Sequence, residues 1–278
     1  MNEKLELRKL LIYAISVYRI PQKIKGMTDK RKRKGIPFFN LIMPVFMALL
    51  LQYESFHTFF SAPESMGRRF GNFIRGRIPK VDAVRDALAL LEADEVGDLL
   101  DSIVEKTYRN AVFRSGTIGG YTAAAVDGVE LFSSTKKSCR KCLTRKNKAG
   151  QTEYFHRSVV CASIGHSPHV VLGQEMLTPR DGGEKDEGEL TGGKRLVRDL
   201  HRKFGHFADV IVADALYLNA PFLNTVLDCH MDAVIRLKDE ERLIYKDAKG
   251  LFEKGEGRKD GFRRGRKRIE AWDTSGFE

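Results

Sequence analysis

Two aspartates each follow a run of apolar residues that is typical of a buried strand. Asp127 comes after residues 123–126, and Asp214 comes after residues 210–213. A carboxylate in such a place needs a cation or hydrogen bonds, because burying it unpaired costs several kcal/mol. At the carboxyl ends of neighbouring strands, two carboxylates share one crevice, and a divalent cation relieves their repulsion. The alternative is that each aspartate forms a turn or caps a helix.

The ligand type and the charge of the chain indicate the chemistry. Carboxylate oxygens are hard ligands, which predicts Mg²⁺, with Mn²⁺ as the substitute. Such ions, about 4 Å apart, activate the attacking oxygen and stabilise the leaving oxygen of a phosphodiester. The 278 residues carry 48 Lys and Arg against 37 Asp and Glu, a net charge of +11, which favours nucleic acid or an anionic membrane face as partner. Asp127 and Asp214 are therefore predicted as metal ligands and catalytic residues.

Four cysteines, at positions 139, 142, 161 and 229, do not make a disulfide scaffold in a chain of this length. Cys139 and Cys142 form a C-x-x-C pair in a basic loop, but a structural zinc site needs further ligands, and no second C-x-x-C or close histidine pair follows. Reduced surface thiols are the favoured interpretation, and zinc is the alternative. His156 is expected to be a hydrogen-bonded histidine within a strand.

Apolar spacing predicts that residues 1–115 are helical. One stripe covers positions 81–91, and a second, with Asp94 as its expected cap, covers 96–103. Two short helices after a basic segment are typical of a helix-turn-helix-like unit on DNA, with a plain helical bundle as the alternative. The basic residues of that segment are Arg68, Arg69, Arg75, Arg77 and Lys80. Another basic run, at 23–34, is either a solvated linker or a phosphate-gripping arm.

Residues 116–238 alternate between strand and helix patterns, which predicts a mixed sheet covered by helices. Strands are expected at 121–126, 129–132, 154–164, 210–213 and 233–235, and helices at 194–204 and 220–229. Asn219 is the expected cap of the second helix. Arg236 and Lys238 follow the last strand near the crevice, where they either hold phosphate or are ordinary strand-end residues. Glu175 is expected to be a rim or ion-pair residue.

The last forty residues, 239–278, are polar and rich in Gly, Arg and Lys, and the chain is expected to be cut short there. Trp272 is expected in ordinary packing, with stacking on a base as the alternative. The most apolar stretch, 38–51, is shorter than the roughly 20 residues that cross a bilayer, and the N-terminus is not a signal peptide. We therefore expect no membrane partner and a cytoplasmic, nucleoid-associated location.

The order and spacing of several motifs resemble bacterial DDE transposases of the insertion sequence 4 family, over about residues 60–278. The motifs lie at 126–132, 139–142, 154–157, 172–175 and 209–217. The resemblance implies an RNase H-like catalytic fold that holds two Mg²⁺ with Asp, Asp and Glu. Asp127 would be the first carboxylate, which bridges the metals, and Asp214 the second. The implied reaction is nicking at transposon ends, followed by attack of the freed 3′-hydroxyl on target DNA, in a paired-end complex for which a homodimer is expected.

The sequence departs from that family at the third carboxylate. The family places it on a late helix, in the pattern Tyr, two residues, Arg, three residues, Glu, six residues, Lys. Neither Tyr217 nor Tyr245 is followed by Arg at the third position. Substitute glutamates that lack a supporting helix pattern are Glu253, Glu270 and Glu278. Weak or absent cleavage by this chain alone is therefore expected, while binding of double-stranded DNA persists.

These inferences predict three regions: a helical DNA-binding domain at 1–115, an incomplete RNase H-like core at 116–238, and the start of a basic, β-rich insertion at 239–278. The fold class is a helical N-terminal domain followed by a mixed sheet with flanking helices. Two other functions stay open. One is a non-catalytic DNA-binding remnant, and the other is an RNase H-like, metal-dependent nuclease that is unrelated to transposition.

Overall fold

The computed structural model describes residues 9, 12–13, 15–60, 79–165, 169–179 and 186–274. The chain divides into two compact units, Met1–Val112 and Phe113–Glu278. Four of the arginines predicted to contact DNA lie outside the described residues: Arg68, Arg69, Arg75 and Arg77. Among the helices that the structure describes, none has the length and apolar character needed to cross a bilayer.

The first unit is helical, as predicted. Its helices are α1 (Ile20–Gly26), α2 (Phe38–Leu50), α3 (Phe56–Phe60), α4 (Val81–Leu88) and α5 (Ala93–Arg109). The apolar stretch that is too short for a membrane span forms α2, whose Leu41 and Met47 are fully buried. Helices α1, α3 and α4 contribute to the same core.

The predicted cap of α5 is wrong by two positions. The helix begins at Ala93, and Glu92 occupies the capping position without a side-chain hydrogen bond. Asp94 instead lies in the first turn together with Glu95. A negative charge is favourable there, because it lies at the positive end of the helix dipole. The predicted start of a helix near Asp94 was therefore correct, although the predicted cap was not.

The second unit contains a six-stranded mixed sheet, which confirms the predicted mixed sheet with flanking helices. Its strands are β1 (Ala123–Ser134), β2 (Leu143–Lys146), β3 (Thr152–Ile164), β4 (Val171–Met176), β5 (Val210–Ala213) and β6 (Asp232–Ile235). The order is β2-β3-β1-β5-β6, and β4 also pairs with β3. The β1–β3 pair is antiparallel, whereas β1–β5 and β5–β6 are parallel.

Two helices, α6 (Glu189–Phe204) and α7 (Ala220–Asp228), flank the sheet. Helix α6 begins five residues before the predicted start at 194, because Gly192 and Gly193 lie inside it and do not end it. A Cβ at Gly193 would come within 2.8 Å of a ring carbon of Tyr217, so the missing side chain allows close packing. Asn219 caps α7 as predicted, since its Oδ1 accepts from the Phe222 N–H at 3.0 Å.

Regular structure continues past residue 239, with helix α8 (Leu243–Glu253) and a hairpin of β7 (Arg258–Arg264) and β8 (Lys267–Asp273). Glu253 therefore ends a helix, and the expectation that it lacks one is wrong. Trp272 lies 6.3 Å from the Phe252 ring, and the Lys259 ammonium sits 4.8 Å from its ring centroid. The tryptophan therefore has neighbours within this segment, although it is 40% exposed.

Candidate active site

The parallel pairing of β1 with β5 places the two predicted aspartates next to each other. The last paired residues are Val126 and Ala213, and Asp127 and Asp214 are the next residues of their chains. Neighbouring strands of a sheet lie about 4.8 Å apart. The aspartates are therefore neighbours across two adjacent strands, and both are exposed.

One detail of the prediction is wrong, because Asp127 does not end its strand. Strand β1 continues to Ser134, since its other edge stays paired with β3 beyond that position, where Asp127 is opposite Val160. Only the parallel neighbour β5 ends at this point. Asp127 therefore projects from a continuous strand, whereas Asp214 begins the turn that follows β5.

Both aspartates also have local hydrogen bonds. The Gly128 N–H donates to Oδ1 of Asp127 at 2.8 Å. The Leu216 N–H donates to Oδ1 of Asp214 at 2.8 Å, so that Asp214 caps the short 3₁₀ turn Ala215–Tyr217. In both aspartates Oδ1 accepts this hydrogen bond. The alternative that Asp214 caps a turn is therefore partly correct, but the Oδ2 atom of Asp214 takes no part in the cap.

A third carboxylate, which the sequence motifs did not indicate, belongs to Glu189. It is the first residue of α6, and Nη1 of Arg157 donates to its Oε1 at 2.7 Å. Its other oxygen, Oε2, faces Gly128, where an added Cβ would overlap the carboxylate. Glu189 thus lies against the residue that follows Asp127, and its side chain is 14% exposed.

Tyr217 is a buried residue whose pKa is influenced by all three carboxylates. Its side chain is fully buried and packs on Phe222, with ring centroids 4.8 Å apart. Burial raises the pKa of Tyr217, and the negative charges of Glu189, Asp127 and Asp214 raise it further. Its hydroxyl has no hydrogen-bond partner among the described residues. An orphaned buried hydroxyl calls for a water or ion that satisfies it, and here it is close to three carboxylates.

These residues suit a hard divalent cation on two observations of the structure. Their donors are carboxylate oxygens, the ligands that Mg²⁺ and Mn²⁺ prefer. The buried hydroxyl of Tyr217, whose pKa these carboxylates help to raise, has no partner among the described residues and could donate to a water. Asp127 and Asp214 could therefore hold the ion. Glu189 does not complete a set of three ligands in the described residues, because the three carboxylates do not all lie within 4.8 Å of one another.

The predicted phosphate-binding residues lie at the end of the next strand. The Lys238 ammonium is 3.5 Å from Oδ2 of Asp214, and both side chains are about half exposed. The backbone N–H of Arg236 donates to the Ala213 carbonyl at 3.4 Å, which continues the β5–β6 register past the strands. Lys238 thus brings a positive charge to the carboxylates.

Glu175 belongs to a separate ion-pair cluster, as predicted. Nε of Arg195 donates to Glu175 at 2.9 Å, and its Nη1 binds the carboxylate of Glu187. The Glu187 side chain is 1% exposed. Burial raises the pKa of Glu187, but hydrogen bonds from Arg195 and Thr178 outweigh that effect and leave the pKa below its usual value. In this cluster one guanidinium is paired with two carboxylates, and it joins α6 to β4.

The basic run at 23–34 is partly neutralised. Arg31 donates two hydrogen bonds of 2.9 Å to Asp29 and one of 2.6 Å to the Ile36 carbonyl, and Lys30 forms an ion pair with Glu92. The next three residues of the run are exposed: Lys32, Arg33 and Lys34. The run is therefore anchored to the first unit and presents three cations to solvent.

The expectation of surface thiols at the C-x-x-C pair is wrong for one of the two residues. Cys139 is exposed but Cys142 is buried, as are Cys161 and Cys229. Burial raises the pKa of Cys161 to about 12. Cys142 is buried because it immediately precedes β2, which pairs along the edge of β3.

Comparison with known proteins gives limited similarity. No protein-family model matches the chain, and no curated protein matches it. Among solved structures, the chain is similar to a piggyBac transposase, which was determined by cryo-EM as a synaptic complex with hairpin DNA. The TM-score is 0.45 at 16% identity, and the alignment covers 96% of this chain and 58% of that chain. The chain thus spans less than two thirds of the length of that protein.

Proposed function

We propose that this chain is a DNA transposase of the DDE type, similar to the bacterial insertion sequence 4 enzymes. It would nick DNA at transposon ends and join the freed 3′-hydroxyl to target DNA. The observation that carries the proposal is the β1–β5 register, which sets Asp127 beside Asp214, with Glu189 against the adjoining backbone. The net charge of +11 supports a DNA substrate.

Asp127 and Asp214 are the residues that would hold Mg²⁺ or Mn²⁺, with Glu189 near the adjoining backbone. When bound, the ions supply Lewis-acid stabilisation of the charge that develops on the phosphodiester. Arg157 fixes the carboxylate of Glu189 through its 2.7 Å hydrogen bond. The raised pKa of Tyr217 keeps the proton on its hydroxyl at neutral pH, so this buried group, which has no partner among the described residues, would donate to a water.

Contacts to DNA are assigned to two groups of cations. Lys238, which is half exposed beside Asp214, and Arg236 would contact phosphates next to the reacting bond. The helical unit would contact DNA away from that bond, through its exposed basic residues and the four arginines between 68 and 77. Phosphate contacts position the protein without reading sequence. Assembly of two copies on paired ends is part of the same proposal.

A metal titration combined with a nicking assay tests the proposal. Mn²⁺ is expected to raise the Tm of the wild-type chain and to support at most weak nicking of a supercoiled plasmid, because the chain lacks the family's late glutamate motif. Asp127→Asn and Asp214→Asn should lose both effects, because each removes a charged ligand with almost no change in shape. Asp247→Asn, an exposed position on α8, makes the same charge change and should behave like wild type.

Two results would contradict the proposal. Nicking that persists in Asp127→Asn would come from another site or from a contaminant. A wild-type chain whose Tm ignores Mn²⁺ would favour the second candidate, a non-catalytic DNA-binding protein. One observation supports that candidate: Asp214 already serves as a cap through Oδ1. DNA binding without any metal effect, at wild-type strength in both aspartate variants, would establish it.

A further inference from the structure

Cys139, Cys142 and His156 form a compact cluster between the β1–β2 connection and β3. Leu143 is paired with Phe155 in the antiparallel β2–β3 register, so the residue before Leu143 lies opposite the residue after Phe155. That relation brings Cys142 to His156. The turn closed by the Cys142 N–H and the Cys139 carbonyl, at 3.2 Å, then carries Cys139 to the same point.

The distances within the cluster fit one tetrahedral zinc ion. With Zn–S of about 2.3 Å and Zn–N of about 2.0 Å, tetrahedral angles separate two sulfurs by about 3.8 Å, and a sulfur from a nitrogen by about 3.5 Å. The two Sγ atoms are 3.5 Å apart. Nε2 of His156 lies 3.2 Å from Sγ of Cys139 and 3.4 Å from Sγ of Cys142. Each separation is within a few tenths of an ångström of the tetrahedral value.

Backbone N–H groups point at both sulfurs. The Cys139 N–H points at Sγ of Cys142 at 3.1 Å, and the Lys141 N–H points at Sγ of Cys139 at 3.3 Å. No acidic residue occurs between positions 131 and 152, while four cations adjoin the sulfurs in sequence: Lys136, Lys137, Arg140 and Lys141. Two thiolates and a neutral imidazole balance the charge of Zn²⁺, which suits this basic loop.

We propose that Cys139, Cys142 and His156 bind one Zn²⁺, with water at the fourth position beside the exposed Cys139. Sulfur and imidazole nitrogen are soft or borderline ligands, so the site selects Zn²⁺ over Mg²⁺. Three ligands are what the described residues offer here, all within 4.8 Å of one another. This site is separate from the carboxylates and does not depend on the proposed function.

The bound ion would fasten a basic loop to the sheet. Residues 135–141 are exposed, and they connect β1 to β2 without regular structure, so two ligands from this connection and one from β3 would hold it in place. The four cations of the loop would then be presented in a fixed arrangement. Zinc removal is accordingly expected to make this loop more susceptible to proteolysis, and trypsin cleaves after each of these cations.

Cobalt substitution on the full chain, kept reduced by a phosphine, tests the site. One Co²⁺ per chain should give thiolate-to-cobalt charge-transfer absorption together with the visible bands of tetrahedral cobalt. One equivalent of Zn²⁺ should abolish these bands, and a large excess of Mg²⁺ should leave them unchanged. Cys139→Ser is the main variant, because this side chain is exposed and its replacement spares the core; it should lose most of the charge-transfer intensity.

Cys229→Ser is the matched control, since it removes a thiol outside the cluster and should keep the full spectrum. His156→Asn should shift the visible bands and weaken zinc binding at least tenfold. Circular dichroism verifies that each variant is folded. The proposal is overturned if the folded wild type gives no thiolate–cobalt bands, or if the bands survive unchanged in Cys139→Ser. Neither result bears on the carboxylates, which the Mn²⁺ titration addresses separately.

Discussion

Thr122 and Asp209 join the start of β1 to the start of β5 through hydrogen bonds in both directions. The N–H and Oγ1 of Thr122 each donate to Oδ2 of Asp209 at 2.7 Å, and the Asp209 N–H donates to the Thr122 carbonyl at 2.8 Å. These residues are 87 positions apart, the same separation as Asp127 and Asp214. Strands β1 and β5 therefore keep the same register from this junction to Asp127 and Asp214 at the other end of the pair.

Removing the junction should weaken the second unit. Asp209→Ala leaves the Thr122 N–H and hydroxyl without their acceptor, so the free energy of unfolding is expected to fall by about 1 to 2 kcal/mol. Urea denaturation followed by tryptophan fluorescence and circular dichroism measures it. Asp247→Ala, on exposed α8, is the control and should change the free energy by less than about 0.5 kcal/mol. An Asp209→Ala variant as stable as this control would contradict the role assigned to the junction.

The lowered pKa of the Asp209 carboxylate predicts that the stability of the fold depends on pH. Hydrogen bonds from His206 and then from Thr122 lower the pKa of Asp209 from 3.8 to about 2. A group whose pKa is lowered in the folded state stabilises the fold above its unfolded pKa, and this stabilisation is lost as the pH falls from 3.8 toward 2. Wild type should therefore lose more stability than Asp209→Asn over that interval. Equal acid sensitivity of the two proteins in urea titrations would refute the assignment.

Tyr217→Phe separates stability from metal binding. Its hydroxyl is buried and has no partner in the described part of the chain, so its removal costs no hydrogen bond and should leave the free energy of unfolding unchanged or slightly higher. If the hydroxyl orients the carboxylates, Mn²⁺ affinity should fall by about threefold to tenfold. Isothermal titration with Mn²⁺ and urea denaturation are the two measurements. A destabilised variant with normal Mn²⁺ affinity would assign the hydroxyl to the core.

Two glycine substitutions should have opposite effects. In Gly128→Ala the new methyl group would overlap the carboxylate of Glu189, which displaces this side chain from the strand, lowers Tm and, if Glu189 takes part in the site, weakens Mn²⁺ binding. In Gly97→Ala nothing lies within 4 Å of the new methyl group, and an interior position of α5 gains about 0.5 to 1 kcal/mol from the better helix former. A Gly128→Ala chain with wild-type Tm and Mn²⁺ affinity would place Glu189 outside the site.

The elements that position the aspartates could be predicted because their signals are local. The apolar run before Asp214 is a complete strand, and Asn219 caps the helix that follows, as its residue type and position indicate. The partner of each strand is not a local property, but an apolar strand on each side of a helix favoured parallel pairing. The pairing of Asp127 with Asp214 was predicted from the place of each aspartate directly after an apolar run.

The residues that were missed depend on contacts between distant segments. Glu189 was missed because the helix was expected to begin at 194, whereas α6 begins at Glu189 and its Gly193 packs against Tyr217. His156 reaches the two cysteines only through the β2–β3 register. In both cases the number of residues between the contacting segments is not fixed by the contact. A search for a sequence motif therefore cannot find these residues.

The β1–β5 pair is aligned at the Thr122–Asp209 junction. The chain between the two strands can therefore change in length without shifting their register. The turn between β2 and β3 lies within the 87 residues that separate Thr122 from Asp209, yet it does not enter the β1–β5 ladder. Lengthening this turn by a few residues, for example after Gly150, should leave the two aspartates opposite each other. Related proteins can therefore differ in the length of this hairpin and still keep the same arrangement of acidic groups, which makes sequence spacing a poor guide for finding them.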